Sequence, residues 1–106
     1  MTIHSGTTDE FDEVLKALSN PVRRKILVQM KDPEHNFPGQ EHPYELGVCA
    51  GKVEATCELS QSTISAHLAV LAHAGLITGK RVGQWVFYKR NEAAIAAFLD
   101  RMTQSL

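Results

Sequence analysis

The sequence predicts a mainly α-helical domain with one β-hairpin, in the order α-α-α-α-β-β-α. Three observations predict it. Residues 60–75 read SQSTISAHLAVLAHAG, with Ile64, Leu68, Leu71 and Ala72 recurring at i, i+4, i+7 and i+8, one apolar stripe of a helix. Residues 82–88 are rich in Val and aromatic side chains around Gly83-Gln84, a two-residue hairpin turn with Gly first. Residues 91–106 carry Ala94, Ile95, Phe98, Leu99, Met102 and Leu106 at helical spacing.

A chain of 106 residues, 43% hydrophobic and 22% charged, has the size and composition of one globular domain, 1–106. It holds no run of eighteen apolar residues, and MTIHSGTTDEFDE lacks the basic and apolar regions of a signal peptide. The expected location is cytoplasmic, without membrane association, and the two cysteines are then thiols or ligands rather than a structural disulfide.

Taken in order, residues 1–7 read as frayed, and a first helix starts at Thr8. Asp9, Glu10, Asp12 and Glu13 favour the positive end of its dipole, and Phe11, Val14, Leu15 and Leu18 form its stripe. Asn20-Pro21 resets the chain with a good N-cap and a proline suited to the first helical position. The second helix runs from Pro21 to about Met30, with Val22, Ile26, Leu27 and Met30 inward. Arg23, Arg24 and Lys25 occupy its first turns, where the dipole disfavours cations; they either face phosphate or form a solvated basic face.

Residues 32–50, DPEHNFPGQEHPYELGVCA, break the periodicity and hold three of the four prolines. They read as a long loop, functional or mobile, containing His35, His42 and Cys49. A short helix follows from Gly51 to Cys57 with Val53 and Cys57 inward, and Leu59 lies in a tight connection. Ser60 caps the next helix, and Gly75 ends it. A short helix, a tight turn and a second helix with a polar outer face is the helix-turn-helix pattern. That face carries Ser62, Thr63, Ala66, Ala69 and His73, with Gln61, Ser65 and His67 nearby, and no charge. Small neutral hydrogen-bonding groups suit a helix entering a groove to touch base edges, against the plainer reading of an ordinary bland surface. In the hairpin, Val82 faces Trp85 and Arg81 faces Val86, with Lys80 and Arg81 near the tip. Asn91 caps the last helix, whose wide apolar stripe either packs on the domain or meets a partner.

Net charge is −1, but the charges are segregated. Residues 21–31 hold Arg23, Arg24, Lys25 and Lys31 without an acid, and residues 59–90 hold Lys80, Arg81, Lys89 and Arg90 without an acid. Both basic blocks flank or follow the neutral helix, as a nucleic-acid footprint does.

From about Val14 to Tyr88 the chain resembles the ArsR family of small winged-helix transcriptional repressors. The resemblance is carried by LKALSNPVRRKIL (Leu15–Leu27), by the specific LSQSTISAHLAVLAHAGLI (Leu59–Ile77) and by GQWVFYKR (Gly83–Arg90). It implies a winged helix-turn-helix fold and a homodimer pairing through its first and last helices. It also implies a double-stranded DNA operator with the Ser60 helix in the major groove and the hairpin at the minor groove, and release by an inducer. Many relatives place a cation within the SxHL motif; here it is Ala66, so base reading falls to Gln61, Ser62, Thr63, Ser65 and His67. Phosphate contacts then come from Arg23, Arg24, Lys80 and Arg81. A structural hydrogen bond is the plainer role for His67.

Some members bind thiophilic metals through a CVC motif at the segment that here reads ELGVCA, with Gly47 in the first Cys position. Members that bind zinc on the last helix use His, and residues 91–106 contain none. Cys49 and Cys57 therefore leave three readings: a thiol sensor by disulfide or modification, a soft metal or metalloid site completed by His42 or His35, or two structural residues. An enzyme using Cys and His lacks any G-x-S-x-G or G-x-G-x-x-G framework. A winged-helix interaction module that does not bind DNA is the remaining class.

Overall fold

A computed structural model describes residues 9–106. The frayed stretch 1–7 and a helix start at Thr8 fall outside the described residues. Helix α1 (Glu10–Leu18) is capped by Asp9, whose carboxylate accepts from the Phe11 N–H at 3.0 Å. Two residues later Asn20 caps α2 (Pro21–Gln29), accepting from the N–H groups of Val22 and Arg23. Ile26, Leu27 and Met30 are buried as the periodicity requires, and Val22 is half-buried.

The expectation of a plain loop over 32–50 is corrected. The segment contains α3 (Pro33–Asn36), a 3₁₀ turn at Tyr44–Leu46 and strand β1 (Val48–Cys49). Phe37 is fully buried in the main core. The Tyr44 hydroxyl donates to the Phe37 carbonyl, and the Gln40 side chain donates to the carbonyls of His42 and Gly47 while accepting from the Cys49 N–H. Proline hides this order from periodicity, because it interrupts helices without preventing a side-chain-clipped loop.

Helix α4 (Ala50–Thr56) buries Val53 and leads through a four-residue turn to α5 (Gln61–His73). Ser60 caps α5 by accepting from the Thr63 N–H. At its other end the Gly75 N–H reaches the Ala72 carbonyl and the Leu76 N–H the Leu71 carbonyl, the paired bonds of a Schellman motif. Ile64, Leu68 and Leu71 are buried, with Ala72 half-buried beside them.

Strands β2 (Ile77–Val82) and β3 (Trp85–Arg90) form the hairpin with the expected register, Val82 opposite Trp85 and Arg81 opposite Val86. Gly83 takes φ 61°, as the first position of that turn demands. The sheet has three strands rather than two, because β1 pairs antiparallel with β3 at Val48–Tyr88 and Cys49–Phe87. Phe87 points into the domain and is buried, while Trp85 on the same face is exposed beyond its edge.

Helix α6 (Glu92–Ser105), capped by Asn91, returns across α1. Phe98 is buried and its ring lies 5.3 Å from that of Phe11. Arg101 makes a bidentate pair with Asp9 at 2.8 and 2.6 Å and lies 4.9 Å over the Phe11 ring. The Arg101 bond, then the Phe11 N–H, holds the Asp9 carboxyl down from 3.8 to about 2. A carboxyl whose folded pKa is depressed stabilises the fold above its unfolded pKa and loses that contribution as pH falls through the folded value. Urea unfolding between pH 4 and pH 2 is therefore expected to show a smaller acid-dependent loss in Asp9→Asn than in the wild type. An unchanged acid limb would show that the pair contributes nothing there.

Candidate nucleic-acid interface

The helix-turn-helix is α4, the turn Cys57–Ser60, and α5. Gln61, Ser62, Thr63, Ser65 and Ala66 are all exposed, and His67 is half-buried. The neutral face expected from the sequence is thus a solvent face. Two of its hydroxyls also meet the capping Ser60, whose Oγ lies 2.7 Å from Thr63 Oγ1 and 3.3 Å from Ser62 Oγ. Lys80 and Arg81 are exposed on β2, and among the described residues neither takes part in an ion pair.

Arg23 and Arg24 both donate to backbone carbonyls within the domain. Arg23 donates from Nε to the Ala17 carbonyl at 2.7 Å and from Nη2 to the Lys16 carbonyl at 3.1 Å. Arg24 donates to the Leu18 carbonyl at 2.6 Å. These are orphan carbonyls at the negative end of α1, where cations are favoured. The cations that looked misplaced at the start of α2 are well placed for the end of α1. Arg23 is half-buried and engaged inside the domain; Arg24 is exposed. The Nη1 group of Arg23 also meets His67 Nδ1 at 3.3 Å, the structural bond that is the plainer role of this His. Burial, then the charge of Arg23, holds the His67 imidazole below its ordinary pKa, so the neutral ring is favoured.

The cysteine readings narrow. Cys49 is the last residue of β1 and N-cap of α4, not a loop residue, and Cys57 is the C-cap of the same helix. Eight residues of helical rise separate them by about 12 Å. A disulfide needs Cα atoms within about 7 Å, so a bridge between the two is corrected away. Burial pushes the Cys57 thiol up, which lowers its nucleophilicity.

The candidate metal set also fails to converge. His42 packs against the wing, its ring 5.1 Å from Phe87 and 5.4 Å from Trp85. His35 is exposed on α3. Among the described residues no three His, Cys, Asp or Glu side chains group as a metal site requires. Gly47, in the first position of the CVC pattern, has φ 109°, and a Cβ there would lie 2.6 Å from the Tyr88 carbonyl oxygen. A cysteine could not stand there without moving the backbone. Among the described residues, Cys49, Cys57, His42 and His35 do not assemble a site for a thiophilic ion.

A sequence model described as "Bacterial regulatory protein, arsR family" matches residues 49–78, which span Cys49, α4, α5 and the start of β2. The HTH-type transcriptional regulator YbzH of Bacillus subtilis is 40% identical over 90 residues, covering 83% of this chain and 90% of that protein. The chain belongs to the ArsR family. As an ArsR-family protein it is a transcriptional regulator and not an enzyme. The transcriptional repressor SdpR of B. subtilis is 31% identical over 91 residues, 86% of this chain and 87% of that protein. An ArsR-like regulator from Rhodococcus sp. RHA1 shares the fold, with a TM-score of 0.66 at 23% identity over 90% of this chain and 77% of the other. Among the described residues of this ArsR-family regulator, no helix is long and apolar enough to cross a membrane.

Proposed function

We propose that this ArsR-family regulator is a homodimeric repressor that reads a double-stranded operator. The observation that carries the reading is the exposed, charge-free face Gln61–Ala66 on a helix held between α4 and a wing with exposed cations at Lys80 and Arg81. In it, Gln61, Ser62, Thr63 and Ser65 contact base edges, Ala66 allows close approach, and Lys80 and Arg81 hold phosphates. Arg24 is the cation of α2 with exposure to reach phosphate as well. The dimer forms through α1 and α6, where Leu15, Leu99 and Leu106 remain exposed, Leu106 at 93%.

The test is binding to a sequence selected from a random DNA pool, followed over a range of salt. The expected result is a steep linear fall of log affinity with log salt. Gln61→Ala is expected to cost about 1–3 kcal/mol on the selected sequence and little on random DNA. Absence of any salt-dependent DNA binding overturns the reading in favour of a protein-interaction module.

For release, Cys49 is the favoured sensing residue. It joins three parts: its N–H is held by Gln40, its backbone pairs with Phe87 of the wing, and it starts α4. Oxidation to a sulfenic acid or a mixed disulfide enlarges this half-buried side chain at the junction of wing and helix-turn-helix. Peroxide is expected to weaken operator binding in a way that a thiol reductant reverses, and Cys49→Ser is expected to be blind to it. A serine variant that responds like the wild type rules this out.

A further inference from the structure

Helix α5 docks through the side chains of Ile64, Leu68 and Leu71, all buried. Apolar contacts are non-directional, and they tolerate small rolls of a helix that a base-reading face does not. One polar contact has the direction they lack. The Arg23 Nη1 to His67 Nδ1 bond of 3.3 Å is, among the described residues, the one side-chain hydrogen bond from α5 to another element. Arginine has no acceptor, so Nδ1 must accept, and the imidazole proton sits on Nε2.

The guanidinium is itself immobilised. Its Nε and Nη2 are spent on the Ala17 and Lys16 carbonyls, and Ala17 is fully buried. A planar group fixed at two points presents its third donor in a set direction. His67 stands four residues after Thr63, one turn behind it on the same flank of α5. The rotation of His67 about the helix axis is therefore the rotation of the base-reading side chains.

We propose that Arg23 and His67 form a clamp that sets the rotation of α5, so that Arg23 is a positioning residue for base reading and touches no DNA. The proposal rests on the DNA-binding reading above. It assigns Arg23 to sequence discrimination rather than to the phosphate grip that its place in a basic run suggests.

The experiment compares wild type, Arg23→Met, His67→Phe, their double variant and His67→Gln. Each is bound to the selected sequence and to random DNA over a range of salt, with urea unfolding in parallel. Arg23→Met and His67→Phe are each expected to lower the selected-to-random affinity ratio roughly tenfold, the scale of one charge-assisted hydrogen bond. The double variant should lose no more than either single one, because both break the same hydrogen bond. The salt slope should stay at the wild-type value. His67→Gln, which offers a carbonyl oxygen to the same guanidinium, should recover most of the ratio. A salt slope lower by about one in Arg23→Met makes Arg23 a phosphate contact and overturns the proposal. Reduced stability with an unchanged ratio makes the hydrogen bond merely structural and overturns it too. Should Arg23→Met fail to fold, the His67→Phe and His67→Gln pair decides the matter alone. A wild type that selects no sequence overturns the DNA-binding reading itself, whereas a discriminating wild type with unaffected variants overturns only the clamp.

Discussion

Phe37→Ala is expected to destabilise the domain by about 3–5 kcal/mol, the cost of emptying a fully buried aromatic site. Phe37 is fully buried in the main hydrophobic core, although it lies in a proline-rich stretch without periodicity. Its carbonyl also receives the Tyr44 hydroxyl, and the Gln40 side chain accepts from the Cys49 N–H, so the segment between Phe37 and β1 is clipped at both ends. The loss should appear as a lower urea midpoint and as faster proteolytic cutting between Pro38 and Gly47. For a domain of ordinary stability, about 5–15 kcal/mol, this is a large fraction of the total. A cost below about 1 kcal/mol would mean that 32–50 is the mobile loop its composition suggests, with Phe37 only resting on the core.

The second large effect is expected at the wing. Lys80 and Arg81 are exposed, carry no ion pair among the described residues, and sit near the turn at Gly83. Replacing both by alanine should leave stability within about 0.5 kcal/mol, as for ordinary surface positions. Binding to selected and random DNA should weaken together, and the salt slope should fall by about two, one for each phosphate that is no longer neutralised. The single tryptophan of the chain, Trp85, stands exposed opposite Val82 beside the turn. Its fluorescence should change when wild-type protein meets DNA and change less in the double variant. An unaltered salt slope would place the phosphate grip elsewhere on the molecule.

These two expectations contrast in what the sequence could disclose. The wing was legible: alternation around Gly83-Gln84 predicts both register pairs, because a two-residue turn leaves no freedom in pairing. The caps at Asn20, Ser60 and Asn91 were legible for the same reason, since each side chain bonds to backbone two or three residues away. The neutral face of α5 was legible because helical spacing alone puts Ile64, Leu68 and Leu71 on one side and Gln61, Ser62 and Thr63 away from it. Phe37 and β1 were not, since their order comes from Gln40 and Tyr44 and from a partner strand some forty residues on.

Arg23 shows where reading by residue type stops. A basic run beside a reading helix suggests phosphate, and the dipole penalty at the start of α2 points the same way. What residue type does not disclose is the effect of the two-residue gap between Leu18 and Pro21, which leaves the carbonyl end of α1 within reach of Arg23 and Arg24. The cysteine pair differs in kind: a helix between Cys49 and Cys57 already keeps them too far apart to bridge.

The amino-acid order alone settles the five longer helices, the caps at Asn20, Ser60 and Asn91, the hairpin register and the face that α5 turns to solvent, because these depend on hydrogen bonds and spacings within a few residues. The tertiary structure decides where Phe37 is buried, which strand Cys49 joins and what Arg23 holds. Those depend on contacts such as Arg23 with His67, 44 residues apart, and Arg90 with the Leu27 carbonyl, 63 apart. No local pattern encodes such a meeting; it follows only from how the packed helices bring chain segments together.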